Sequence, residues 1–497
     1  MTPRRVLSAA ALAAAIALGI SFNAVATGAS TSTAPRGTST GALTTYGYDN
    51  ARSGHDTVDP LVRGLSTNAT WDDTLDGAVY GQPLVYGGDA YVGTENDTVY
   101  AIAAKTGHVL WKVHVGNPAS VSIVDTAPTL SNGCGDINPL GITGTPVIDT
   151  ATKVLYAAEE TLVGGSHWQD IRNWLVALSL TTHRELWHRA IDPPHANNPN
   201  YYYVAAEQQR PALTLYKNHI YVEYGGLSGD CGAYHGYVVG VPASAPSGPL
   251  WSYQVPTQRE GGIWGTGGAF VSSGGDLYVA TGNGSSDSLA HFDEGNSVVE
   301  LSPSLHRLGF YAPSNWVELN NQDWDLGSAS PIEVPNSSLL FAAGKPSDSG
   351  TEGYLMHDKL DGIGHGAFAR ASCEGGGVFG ADASDVIGRG ASAKTYLYLA
   401  CGGGTEAIEV HVSNPISFHK VWQPSAGTPN GPPIVAGGYV WSLDWNGNGL
   451  YAMSPSTGHV VFMRSTNGLT HFATPALGDG ELLVPTGGGV EAYSLKT

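Results

Sequence analysis

The sequence predicts an all-β protein, an eight-bladed β-propeller of four-stranded antiparallel blades, with seven blades left open by the count. Three observations carry this. A strand–turn–strand pattern recurs far along the chain: Tyr100-Ala-Ile-Ala-Ala-Lys-Thr-Gly107-His-Val-Leu-Trp111 returns as Tyr451-Ala-Met-Ser-Pro-Ser-Thr-Gly458-His-Val-Val-Phe462, and Val176 to Trp187 fits the same template. Such self-similarity marks a repeat architecture. A second pattern precedes each copy: Gln82-Pro-Leu-Val-Tyr, Thr145-Pro-Val-Ile-Asp and Pro433-Ile-Val-Ala lead into Ala90-Tyr-Val-Gly, Leu155-Tyr-Ala-Ala and Tyr439-Val-Trp-Ser, which read as two inner strands. The composition agrees: 67 Gly, only 13% charged residues, and short Val-, Tyr-, Leu- and Ile-rich runs broken by Gly, Asn and Asp.

In chain order, Arg4 and Arg5 precede an apolar run from Val6 to Ile20, and Ala24-Val25-Ala26 offers a cleavage site, so residues 1–26 read as a signal peptide. The run is shorter than the roughly 20 residues a membrane span needs. Residues 27–44, rich in Ser, Thr, Ala and Gly, read as a flexible leader. The propeller is expected over 45–497, with blades beginning near residues 80, 143, 209, 264, 327, 377, 431 and 472. The turn glycine of each repeat suits a positive φ. Trp111, Trp187, Trp251 and Trp422 are expected on outer strands as packing residues far from the axis. The last blade stops short: Val490 to Thr497 matches Val99 to Thr106, and then the chain ends. Its missing outer strand is expected from Ala69-Thr-Trp71-Asp-Asp, which would close the ring and protect its edges.

With 23 Lys and Arg against 43 Asp and Glu, the formal net charge is −20. That disfavours nucleic acid and anionic membranes as partners. No second apolar stretch could span a bilayer, and a secreted monomer, extracellular or periplasmic, is expected. Four cysteines allow three pairings. Cys401 ends the strand beginning at Tyr396, and Cys373 lies just upstream; the expected bonds are Cys373–Cys401 and, by elimination, Cys134–Cys231. None sits in a Cys-x-x-Cys arrangement, so a zinc site and covalent haem are unsupported.

Taken together, the repeats resemble the pyrroloquinoline-quinone (PQQ)-type propellers of the quinoprotein alcohol dehydrogenase superfamily over roughly residues 45–497. Three stretches resemble its dehydrogenase branch: Gly262-Ile-Trp264-Gly before Leu277-Tyr-Val-Ala-Thr-Gly-Asn283-Gly, then Asp323-Trp324-Asp325-Leu-Gly, then Ala343-Gly-Lys345. The resemblance implies Trp264 as the floor under a quinone, Asn283 as a calcium ligand, Asp323 or Asp325 as the catalytic carboxylate, and Lys345 as a contact to the quinone oxygens. PQQ and calcium are the cofactors it implies. The chain departs from the pattern in several places. No adjacent cysteine pair occurs. The family stretch reads Asp-x-Trp-Asp, and Gln322 stands where the base is expected. The calcium-binding Glu has no clear match, and Asp230 is the nearest acid.

Glu159 and Glu160 are neighbours on a strand and should point to opposite faces. Asp287, Asp293 and Glu294 crowd a Gly/Ser-rich loop with cation-binding potential. Tyr201 to Tyr203, and Trp441 with Trp445, suggest an aromatic-lined axial face. The leading expectation is a ligand- or protein-binding scaffold module of unknown extracellular partner. The alternative is a PQQ- and calcium-dependent dehydrogenase of alcohols or sugars.

Overall fold

The computed structural model describes residues 41–127, 130, 134–193, 204–347, 350–373, 376–424 and 427–497. The expected signal peptide, most of the leader and Tyr201 to Tyr203 lie outside these. The packed chain begins slightly before the expected boundary, since Leu43 is fully buried and bridges Val85.

Eight antiparallel sheets follow one another in sequence order. Blade 1 spans residues 84–114, blade 2 147–190, blade 3 207–254, blade 4 270–312, blade 5 332–372, blade 6 383–422, blade 7 434–465, and blade 8 476–496. The inner strands are buried on both faces, as neighbouring sheets stack. The outer ones alternate: in Val109–His114 exposed residues alternate with half-buried ones, because one face packs and the other meets water.

The N-terminal segment closes the ring. Trp71 pairs with Ala492 and Thr74 with Gly489, so Trp71–Thr74 is the missing outer strand of blade 8, and Gly64–Leu65 extends the same edge. The repeat explains how blades dock. The Trp71 indole donates to the carbonyl of Ala104 in blade 1 at 2.8 Å. It also covers Gly107, whose φ is +74°; a Cβ there would stand 2.8 Å from the ring. Trp422 of blade 6 repeats this on blade 7, donating to Pro455 O at 2.8 Å over Gly458. In blade 2 the turn residue is His183, still at positive φ, and its ring stacks on Trp111 of blade 1 at 5.3 Å. Trp111, Trp187, Trp251 and Trp422 all lie on outer strands, but only Trp422 is buried; the other three are half-buried.

Residues 43–54 form a plug that the sequence did not announce. Leu43 exchanges backbone bonds with Val85 of blade 1, and Thr44 O accepts from Ile148 of blade 2. Asn50 O accepts from Val271 of blade 4, Ser53 O from Ser384 of blade 6, and Gly54 O from Val435 of blade 7. Tyr48 Oη donates to Leu477 O of blade 8. Arg52, 3% exposed, donates to Thr45 Oγ1 and Tyr46 O within the plug and to Leu213 O and Thr214 Oγ1 of blade 3, at 2.6–3.0 Å.

Both disulfides form. Cys134–Cys231 ties the connection between blades 1 and 2 to a loop of blade 3, and Cys373–Cys401 joins blades 5 and 6. Among the described residues no helix is long and apolar enough to cross a membrane.

Candidate functional site

Equivalent positions lie four residues before each innermost strand. Around the ring these positions hold Tyr80, Thr143, Arg210, Thr266, Ser328, Phe379, Asn430 and Phe472. Tyr80, Thr143, Arg210, Thr266 and Phe472 line one cavity of about 10 Å³, room for a single water, which Tyr46 of the plug also lines. Above it the rings gather on Phe472. Phe379 stacks on it at 6.0 Å, Trp264 and Trp445 lie 6.3 and 6.1 Å away, and the Arg210 guanidinium sits 5.4 Å over its face. All four aromatic residues are half-buried rather than part of a core. Of the Trp441–Trp445 pair, Trp441 is core and only Trp445 reaches this mouth. Burial and the neighbouring Arg210 hold His471 down at about 4.

Beside the mouth, a polar cluster joins blades 3, 4 and 5, and it brings together most of the residues singled out from sequence. Lys345 Nζ lies 2.6 Å from Asp323 Oδ1, 2.8 Å from Asp325 Oδ2 and 5.7 Å above the Trp264 ring. Asp325 Oδ1 accepts the Asn283 backbone N–H at 2.6 Å. The Asn283 amide approaches Glu260, which pairs with Arg259. Asp230 stands one layer out, accepting the Tyr234 hydroxyl at 2.5 Å. Local backbone explains the arrangement. The short helix Trp316–Asn321 ends at Gln322, and Asp323 takes a positive φ, which turns the chain so that Asp325 runs inward. Gln322 is exposed, so the position expected to hold the base is outside the cluster, and Asp325 is the buried carboxylate within it.

Electrostatics follow from burial. Desolvation lifts Asp325 to about 6 against the pull of Lys345, and lifts Glu260 to about 7 against Arg259. Burial opposes the charge on Lys345, but Asp325 and Asp323 outweigh it and hold the ammonium.

A calcium–quinone pair fits these residues poorly. Calcium takes about 6–8 oxygen ligands, whereas Asp325 already serves Lys345 and Asn283 and Glu260 serves Arg259: the protein supplies its own cations. Lys345 also covers the Trp264 ring. Among the described residues no group of three or more His, Cys, Asp or Glu is arranged to hold a metal ion. The loop with Asp287, Asp293 and Glu294 is a structural one: Asp293 accepts the Ser286 and Gly295 N–H groups, and Glu294 binds Arg307 and the Tyr253 hydroxyl. Glu159 and Glu160 are both buried. Glu159 faces Asp97 beside Gly116, and Glu160 leans toward Glu95.

A sequence model of the family described as outer membrane protein assembly factor BamB matches residues 66–268, from the closing strand through blade 3. The eight-bladed ring fits a PQQ-type β-propeller repeat protein. Solved structures share the fold of the ring. Quinohemoprotein alcohol dehydrogenase from Comamonas testosteroni is 15% identical with a TM-score of 0.63, covering 91% of this chain and 80% of that one. A europium-containing methanol dehydrogenase is 14% identical with a TM-score of 0.57, covering 92% and 98%. BamB from Moraxella catarrhalis is 13% identical with a TM-score of 0.53, covering 87% and 100%. At such identities the likeness is one of fold. No curated protein matches the chain.

Proposed function

We propose that this propeller is a binding module, exported to an extracellular or periplasmic space, that engages its ligand or partner protein at the axial aromatic mouth. One observation carries the reading: Trp264, Phe379, Trp445 and Phe472, from four different stretches of the ring, converge half-exposed over the cavity that Tyr46 of the plug also lines. Rings held out of a core and grouped around an opening suit stacking against a partner. The two disulfides and the basic-then-apolar start of the chain support export. To test it, wild-type protein and a Trp445→Ser/Phe472→Ser variant are cross-linked in the secreted fraction of the producing cells. A partner or ligand recovered with wild type and lost with the variant is expected; equal recovery with both refutes the mouth as the site.

The second reading, oxidation of an alcohol or sugar by a quinone- and calcium-dependent enzyme, is favoured by the meeting of Trp264, Asn283, Asp325 and Lys345. It requires a change in the absorption spectrum when calcium and PQQ are added, and dye reduction by an alcohol or aldose that Asp325→Ala abolishes. A flat spectrum rules it out.

A further inference from the structure

A cleft of about 440 Å³ opens between blade 5 and the segment that leads into it from blade 4. That volume lies within the roughly 300–1,000 Å³ of small-molecule sites. Its walls include Trp324, Asn315, Tyr354, Thr351, Glu352 and Lys345. The turn at Asp323 assigns neighbouring residues to different tasks, with Asp325 meeting Asn283 and Lys345 while Trp324 lines the cleft. Charge narrows the ligand class. Lys345 is the cation of the cleft, and it already faces two carboxylates, Asp323 and Asp325; Glu352 adds a third. Phosphates, uronates and nucleotides would meet a negative surface.

Hydrogen bonding narrows it further. An ammonium has three donors, and the two aspartates take two of them, leaving one N–H. Glu352 accepts the Tyr354 hydroxyl at 3.0 Å on one oxygen and has acceptor capacity left on the other. The Asn315 amide both donates and accepts. Donors and acceptors set side by side around one indole match a ring carrying hydroxyls, since each hydroxyl does both and the C–H face of the ring can lie on the indole.

We infer that this cleft binds a short, neutral oligosaccharide, with Trp324 as the stacking platform and Glu352, Asn315 and Lys345 as the hydroxyl-binding groups. The site does not rest on the reading of the axial mouth, with which it shares the Lys345 contact to the Trp264 ring.

The full-length protein is titrated by calorimetry and by intrinsic fluorescence with cellotetraose, maltotetraose, mannotetraose and chitotetraose, and with tetragalacturonate and a neutral Gly/Ser hexapeptide as controls. At least one neutral tetrasaccharide is expected to bind at one per chain. Trp324→Ala should weaken it at least about tenfold, the loss of one good contact. Glu352→Gln, a change on an exposed residue that leaves the fold intact, should weaken it several-fold. Trp445→Ala, at the mouth, should leave it unchanged. The inference fails if none of the four binds, if binding survives both Trp324→Ala and Glu352→Gln, if Trp445→Ala abolishes it, or if either control binds as tightly.

Discussion

Replacing Lys345 with Met removes the cation between Asp323 and Asp325 while keeping most of the side-chain volume. Asp325 is 3% exposed, and with Lys345 present its carboxyl already sits near 6 because burial outweighs the ammonium. Without the ammonium the folded-state value rises further. The sign is fixed by linkage. A carboxyl raised on folding contributes stability when protonated, and that contribution is lost as pH rises through its folded value. At pH 5 Asp325 is largely protonated in wild type and variant alike, so the substitution should cost under about 1 kcal/mol, mainly its pairing with the exposed Asp323. At pH 8 wild type holds an ionised Asp325 beside a cation, and the variant must either bury an unpaired charge or take up a proton. Removing one partner of a buried ion pair costs about 3–5 kcal/mol, and proton uptake relieves part of it, so the cost should be about 2–3 kcal/mol. Guanidinium denaturation of both proteins at pH 5 and pH 8, compared at equal m-value, measures this. A loss of equal size at the two pH values would show that Lys345 acts by packing and not by charge, and would refute the reasoning.

Four further outcomes are expected. Arg52→Met leaves Glu223, itself near 7 by burial, without its counter-charge and leaves carbonyls of the plug and blade 3 without donors; chemical denaturation should show a loss of about 3–5 kcal/mol. Deleting residues 66–75 removes the outer strand of blade 8, and an unchanged melting temperature would contradict the closure seen at Trp71 and Ala492. Trp422→Ala should cost about 3–5 kcal/mol and Trp187→Ala clearly less, because only the first ring is buried; denaturation midpoints rank the two. Glu95 and Asp382 are lifted by burial to about 7, so stability should fall as pH rises from 5 to 8, which a series of thermal melts would register.

The repeat was legible because its chemistry is local. A turn that needs positive φ, followed four residues later by a docking ring, leaves Gly107 with Trp111 and Gly458 with Phe462 at fixed spacing. The blade starts and the closing strand followed from it. The axial ring was not legible, because the position before each inner strand carries Tyr, Thr, Arg, Thr, Ser, Phe, Asn and Phe in turn. Its geometry repeats and its side-chain type does not, so only counting back from each strand would have found Phe472 or Arg210. The plug escaped because most of its bonds are made by backbone groups and so leave no periodic signature; Arg52 alone hints at it. The Asp-Trp-Asp stretch lies beside Lys345, but the positive φ at Asp323 decides which carboxylate faces inward, and that turn follows a short helix of unremarkable sequence.

Repeat arrays usually behave as one-dimensional chains, in which each unit feels only its neighbours and stability is close to a sum of nearest-neighbour terms. Residues 43–54 break that rule here. A single stretch of backbone is bonded to blades on opposite sides of the circle, so a blade bonded to it cannot open without disturbing a segment shared with distant ones. The hub turns a linear lattice into a wheel. Partial unfolding by loss of one or two repeats, the ordinary failure of such arrays, is replaced by collective loss, and the whole chain should respond to denaturant as one cooperative unit.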